Sequence, residues 1–289
     1  MYDDILLPFD GSDGAMTVLY HVAEIAHWAD ATIQLLYVAD TTRESVTVVE
    51  TEVVDALEQK GEVVLEEAEE ALSTLGVDYR SDVVQGNPAP TIVEYAERYD
   101  QDMIVISTHG REGVSQYLIG SVTEKVLRLS SAPVLTARMQ PDEQLEFPYE
   151  DILVPTDGSA GAAYAAQHGI SLAASLDATV HALSVVDDSL LGIDVLSTLS
   201  GQDSEEAATD AVDDIVEEAE AQGVTNTERY IEHGTPLSEI LDCIEAQGID
   251  AVVMGTTGRR ETDRISLGGV TEKTVRSAPV PVITARKPD

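Results

Sequence analysis

The sequence predicts an α/β architecture: two doubly wound, open sheets, each of five mainly parallel strands with helices on both faces. Two observations carry that prediction. Short, continuous apolar runs alternate with longer stretches of helical period, the pattern of strands buried on both faces of a parallel sheet. The whole pattern then occurs twice along 289 residues, a length that suits two domains of ordinary size.

The repeat is legible residue by residue. Tyr2-Asp3-Asp4-Ile5-Leu6-Leu7-Pro8-Phe9-Asp10-Gly11-Ser12 returns as Tyr149-Glu150-Asp151-Ile152-Leu153-Val154-Pro155-Thr156-Asp157-Gly158-Ser159. Gly86 pairs with Gly234, Gly110 with Gly258, Gly120 with Gly268, and Val122-Thr123-Glu124-Lys125 with Val270-Thr271-Glu272-Lys273. Each copy closes on Thr-Ala-Arg, at Arg138 and Arg286. A repeat this long is a whole domain rather than a solenoid unit. The expected organisation is a domain over 1–138, an exposed linker over 139–148 marked by Pro141, Pro148 and three acids, and a second domain over 149–289.

In the first copy, strands are expected over 5–9, 32–39, 80–84, 103–107 and 133–137, with helices over 15–28, 53–75, 88–99 and 121–129. Asn87-Pro88 and Thr235-Pro236 each set a capping residue before a proline at the first helical position. Ser121-Val122-Thr123-Glu124 reads as a capping box opening the last helix. Right-handed crossovers between parallel strands place a ligand beyond the strand C-termini, where the direction of winding reverses.

Asp and Glu number 54 against 16 Lys and Arg, a formal charge of −38. The acids interleave with apolar residues at helical spacing, as through 63–72, so they read as solvated helix faces of a folded chain rather than as disorder. Self-repulsion of this size weakens a compact fold in dilute salt and is screened when the Debye length shrinks to ~3 Å near molar salt. The composition resembles that of proteins from salt-accumulating halophiles. Such a surface repels nucleic-acid phosphates and excludes a general DNA or RNA binder. No apolar run approaches the ~18 residues of a membrane span. The opening Met1-Tyr2-Asp3-Asp4 lacks the basic start of a signal peptide, so a cytoplasmic protein without membrane contact is expected. One cysteine, Cys243, excludes an internal disulfide framework and a multi-cysteine metal site, and its apolar helical setting reads as core.

The cations cluster. Arg111, Lys125, Arg128 and Arg138, with Arg259, Arg260, Arg264, Lys273, Arg276, Arg286 and Lys287, make eleven of the 16 Lys and Arg, in equivalent stretches of the two copies. Helix C-termini attract cations, which covers Arg128 and Arg276. That does not cover Arg111 or Arg259-Arg260, which follow Thr-x-Gly turns. Local positive charge on an acidic chain points to an anionic ligand.

Three turns meet at the predicted crevice. The first is Pro8-Phe9-Asp10-Gly11-Ser12, with its copy at 155–159, where an Asp after the first strand can bond ribose hydroxyls or hold a metal-bound phosphate. A turn whose Asp or Ser merely caps the next helix is the competing reading. The second is Ser107-Thr108-His109-Gly110-Arg111 and Gly255-Thr256-Thr257-Gly258-Arg259; the third, Gly120-Ser121-Val122-Thr123 and Gly268-Gly269-Val270-Thr271, opens the last helix. Glycine beside a helix N-terminus lets backbone N–H groups approach phosphate oxygens while the dipole favours the anion.

The spacing Gly-x2-Gly-x9-Gly-Ser/Thr, after an apolar fourth strand and before a Val-Thr-Glu helix, resembles the nucleotide-binding signature of the universal stress proteins. The resemblance covers nearly all of both copies, including the opening Pro-x-Asp-Gly-Ser and the closing Pro-Val strand. Neither a Gly-x-Gly-x-x-Gly after the first strand nor a Walker loop is present. The family implies an adenine-nucleotide alpha-hydrolase-like sheet ordered 3-2-1-4-5, and ATP (or ADP or AMP) with Mg²⁺ at the strand C-termini. Carried over by motif, Pro8, Phe9, Asp10 and Pro155, Thr156, Asp157 form the first turn, with Asp10 and Asp157 on the ribose or metal side. Backbone groups of Val38 and Val185 read the adenine edge. Ser107, His109, Gly110, Arg111, Gly120, Ser121, Val122 and Thr123 line the phosphate side of the first copy. Gly255, Gly258, Arg259, Gly268, Gly269, Val270 and Thr271 do so in the second. The family also implies pairing through the last strand, an intramolecular pseudo-dimer of the two halves, and leaves a homodimer open.

The copies depart from the motif differently. Ser107 stands where the leading glycine belongs, and its extra atoms are expected to crowd the nucleotide. Gly269 replaces the terminal Ser/Thr, forfeiting a hydroxyl contact to phosphate worth ~1.5–3 kcal/mol, on the order of 10–100-fold in affinity. Binding at both sites, unequally, is expected; one competent site or none is the alternative. His109 is the single candidate base near the phosphate turns, with Thr257 in its place in the second copy, and a turn histidine bonded to backbone is the competing reading. The other histidines follow no metal-ligand spacing. A nucleotide-responsive stress or signalling protein, engaging an unidentified protein partner without turnover, is therefore expected. A weak ATPase or nucleotide-handling enzyme and a ligand-free scaffold acting by protein contacts are the alternatives.

Overall fold

The computed structural model describes residues 1–41, 52–108, 119–138, 145–187, 197–258 and 267–287, with 52–58 and 197–202 given by backbone course alone. The chain divides into two compact units, Met1–Pro141 and Asp142–Asp289. The first unit runs β1 (Asp4–Pro8), α1 (Asp13–Ala29), β2 (Thr32–Asp40), α2 (Glu52–Leu75), β3 (Tyr79–Gly86), α3 (Pro88–Arg98), β4 (Met103–Ser107), α4 (Ser121–Leu129) and β5 (Val134–Ala137). Its strands lie in the order β3-β2-β1-β4-β5, each neighbouring pair parallel.

The second unit repeats the series as β6 (Asp151–Thr156), α5 (Ala160–Leu176), β7 (Thr179–Val186), α6 (Ser197–Ala221), β8 (Thr227–His233), α7 (Pro236–Gln247), β9 (Ala251–Gly255), α8 (Gly269–Ser277) and β10 (Val282–Ala285). Its order is β8-β7-β6-β9-β10, again parallel throughout. Both match the 3-2-1-4-5 order implied by the resemblance. In each unit the first strand lies between the second and fourth, so the winding reverses at β1 and at β6.

Local chemistry explains the elements. β4 and β9 are buried along their whole length, as their unbroken apolar runs require. β3 and β8, at the sheet ends of their units, are half-exposed and carry charged residues such as Arg80, Asp82, Glu228 and Arg229, which blunt a free edge. α1 and α5 begin where Ser12 and Ser159 accept a hydrogen bond from the N–H of Ala15 and Ala162. Both end on an aspartate in the left-handed conformation, Asp30 at φ 55° and Asp177 at φ 58°, a place the short Asp side chain tolerates. One aspartate in each unit anchors the start of the first strand. Asp102 Oδ2 accepts from the N–H of Asp3 and Asp4, at 2.7 and 3.0 Å, and Asp250 Oδ2 from Glu150 and Asp151, at 2.7 and 2.9 Å.

Two capping expectations are corrected. The N-cap of α4 is Gly120, one residue before the serine, so the Ser121–Glu124 capping box does not form. Gly268 holds the same place before α8. Asn87 and Thr235 do occupy the N-cap positions with proline following, yet neither side chain makes a capping hydrogen bond; the proline supplies the helical φ.

Candidate functional site

The clearest site lies in the second unit at the reversal point. β6 stops at Thr156, opposite Ser184, while β7 runs on through Val185 and Val186, so a crevice opens past the end of β6. The turn that follows is self-bonded: Thr156 Oγ1 accepts from Gly158 N at 3.0 Å and Asp157 Oδ1 from Ser159 N at 3.0 Å. Gly158 sits at φ 70°, and Gly11 at φ 73° in the first unit, a conformation that favours glycine. Asp157 is thereby held with its second oxygen, Oδ2, toward the next turn: a Cβ built on Gly258 would stand 2.7 Å from it.

The glycine turn after β9 is closed at its base by two hydrogen bonds. Gly268 N donates to Thr256 O and the Thr271 hydroxyl to Gly255 O, both at 2.7 Å. The first unit repeats both, with Gly120 N to Thr108 O at 2.7 Å and Thr123 Oγ1 to Ser107 O at 2.8 Å. The threonines expected to face phosphate thus spend their hydroxyl protons on tying the last helix to the end of the fourth strand. They shape the turn.

The leading glycine has a packing role. A Cβ on Gly255 would come within 2.9 Å of the Gly161 backbone, so α5 could not keep its close approach to the end of β9. Ser107, its counterpart, is itself buried, at 8% exposure. Gly269 is different: it is the first residue of α8, it is exposed, and nothing lies within 4 Å of the Cβ it lacks.

These parts enclose a cavity of about 630 Å³. Pro155, Thr156 and Asp157 reach it from the end of β6, Val185 from β7, Gly255 and Gly258 from the end of β9, and Gly268, Gly269, Val270 and Thr271 from the start of α8. Every described second-copy residue expected at the site therefore lines one space. In the first unit the corresponding turn is built alike: Phe9 N donates to Leu36 O at 2.8 Å and Asp10 Oδ1 accepts from Ser12 N at 3.0 Å. Pro8 ends β1, Val38 lies in β2, Ser107 ends β4, Gly120 precedes α4, and Ser121, Val122 and Thr123 form its first turn. His109, Gly110, Arg111 and Arg259 lie outside the described residues.

The universal stress protein family model matches residues 1–138 and again 148–286. The chain belongs to the universal stress protein family. It is a tandem member, and each of the following two curated relatives corresponds to about one unit. A universal stress protein of Methanocaldococcus jannaschii is 36% identical over 147 residues, 48% of this chain and 84% of that protein. One from Methanothermobacter thermautotrophicus is 33% identical over 143 residues, 48% of this chain and 97% of the relative. The crystal structure of a universal stress protein from Archaeoglobus fulgidus shares the fold of the whole chain, with a TM-score of 0.75 at 24% identity, covering 99% of this chain and 98% of that one.

Motif reading missed part of this universal stress protein's cavity. Asp187 just past β7, Ala207 and Ala208 of α6, Ile240 of α7 and Lys273 of α8 also line it. The α6 and α7 residues meet the site only through the crossovers, and no short spacing announces them. Asp187 had a local cue, two residues beyond Val185, and so did Lys273, two residues beyond Thr271 and one of the clustered cations. Cys243 is core as expected: burial, and then Glu232, push its thiol up to about 11, well away from a reactive thiolate. Among the described residues no group of three or more His, Cys, Asp and Glu could hold a metal ion. No helix is long and apolar enough to cross a membrane among the residues described.

Proposed function

We propose that each unit binds an adenine nucleotide, ATP with Mg²⁺, at the C-terminal ends of its strands. The chain then acts as a nucleotide-responsive stress or signalling protein without turnover. The observation that carries this reading is the second unit's cavity. Its volume of about 630 Å³ suits a small ligand, and it brings together the first-strand aspartate and both glycine turns. The exposed start of α8, capped by Gly268 with its side chain absent, offers amide N–H groups and the positive end of the helix dipole to phosphate oxygens. The apolar wall from α6 and α7 gives a planar base a surface to pack on. Asp157 does not make a metal site by itself, so a bound cation would complete its shell with phosphate oxygens.

The test is mass spectrometry of small molecules released from protein purified in molar KCl. Native protein is expected to release adenine nucleotide. Gly258→Val should remove the share held by the second unit, because the new side chain would meet Asp157 and fill the phosphate approach. Protein that carries no nucleotide and shows no thermal shift with ATP and Mg²⁺ favours the scaffold reading. Steady phosphate release abolished by Asp10→Ala together with Asp157→Ala favours the ATPase.

A further inference from the structure

We infer that Lys273 is a phosphate-binding residue of the second unit, contacting the anionic tail of the nucleotide through its ammonium group. The inference rests on the nucleotide reading above and names a side chain that the glycine signature does not contain.

Three observations converge on it. Lys273 lines the cavity together with Gly268, Gly269 and Val270, and it follows Gly269 by four residues, which places both on one face of α8. Among the described residues lining that cavity it is the single cation, and the titratable groups that accompany it are Asp157 and Asp187. A polyphosphate in this cavity of a protein of net charge −38 faces those two carboxylates, so a fixed positive charge near the helix start has an electrostatic task. The third observation is pairing. Arg276, one turn on, is ion-paired to Glu272, whereas no described acid stands within ion-pair distance of Lys273, although the chain carries 54 of them. An exposed lysine that no described acid pairs, lining such a cavity, is set to receive an anion. Composition agrees, since the chain holds only four lysines, and Lys125 and Lys273 occupy the same place in the two copies.

A charge-assisted hydrogen bond of this kind corresponds to roughly tenfold in affinity. The test uses the full chain, with ATP and adenosine as probes in parallel equilibrium titrations. Photolabelling with azido-ATP and peptide mapping assigns each effect to its unit. Lys273→Gln is expected to weaken ATP binding in the second unit about tenfold, to leave adenosine within about twofold, and to leave labelling of the first unit unchanged. Lys273→Arg should restore most of the loss. ATP affinity unchanged by Lys273→Gln overturns the inference while leaving the nucleotide reading intact. So does an equal loss of ATP and adenosine, which would mark a structural role. Native protein that binds neither probe overturns both. The residue is exposed, so thermal unfolding of both variants should coincide with that of the native chain.

Discussion

Burial of His21 makes a measurable prediction about stability and pH. The imidazole lies on the buried face of α1 with its side chain 1% exposed, and burial holds its pKa down to about 4, against 6.5 when it is free. Glu24 Oε2 lies 4.0 Å from Nδ1, but that carboxylate is 58% exposed and too solvated to offset the burial. The folded protein therefore takes up this proton only near pH 4, while the unfolded chain takes it up below 6.5. Between those values the unfolded state binds more protons, so the contribution is present above pH 6.5 and is lost as pH falls toward 4. The slope is ~1.4 kcal/mol per pH unit, which makes about 2 kcal/mol between pH 7 and pH 5. Denaturant titrations at those two pH values, at fixed molar salt, should show that His21→Gln loses about 2 kcal/mol less than the native protein. Carboxylates titrating over the same range act on both proteins and cancel in the difference. Identical pH dependence in the two proteins would refute the argument. His168, at the corresponding place in α5, is held down to about 4 by the same cause, and His168→Gln should act likewise on the second unit.

Gly269→Ser should raise ATP affinity in the second unit by roughly tenfold, because the site has room for a side chain and the hydroxyl would sit beside the phosphate amides. Titration of the variant against the native chain checks it, and unchanged affinity would remove phosphate from the vicinity of residue 269. Asp102→Ala and Asp250→Ala each strip two backbone N–H groups of their acceptor. Each should destabilise its own unit by about 1–3 kcal/mol in denaturant titrations. A loss well under 1 kcal/mol would mean that water replaces the carboxylate at little cost.

How much was legible beforehand follows the range of the interactions involved. The strand expected over 103–107 coincides with β4, and the helix over 121–129 with α4, because unbroken apolar runs and helical period are local signals. The three turns were legible for the same reason, as each is a short run of Gly, Asp, Ser and Thr. The cap of α4 was not: Ser-x-x-Glu fits a capping box, but the hydrogen bond from Gly120 N to Thr108 O fixes Gly120 as the last residue before the helix. Ser107 invited a steric argument about the ligand, whereas the space at its counterpart Gly255 is bounded by the backbone of α5. The cavity wall from α6 and α7 was illegible because those helices are brought to β7 by crossovers rather than by spacing.

The duplicated fold also shows which side chains are kept in both units and which drift together. At the crevice end of the sheets, Asp10, Gly11, Ser12, Gly120, Thr123 and Lys125 recur unchanged as Asp157, Gly158, Ser159, Gly268, Thr271 and Lys273. Away from it, part-buried polar clusters are exchanged wholesale. In the first unit Gln34 Nε2 donates to Asp82 Oδ2 at 3.4 Å, and the Tyr95 hydroxyl on α3 donates to the same oxygen. In the second unit the place of Gln34 is taken by His181, that of Asp82 by Tyr230 and that of Tyr95 by Cys243. His181 Nε2 bonds Asp151 Oδ1 at 2.7 Å while its Nδ1 meets the Tyr230 hydroxyl at 3.2 Å. Both clusters satisfy their buried polar atoms, and satisfaction is all that burial requires. Any self-consistent set will do there, so the residue types drift together. At the crevice the first-strand aspartate and the last-helix lysine are kept in both units, while Ser107, His109 and Ser121 give way to Gly255, Thr257 and Gly269. Retention of an aspartate and a lysine in an open cleft is what the proposed nucleotide site predicts.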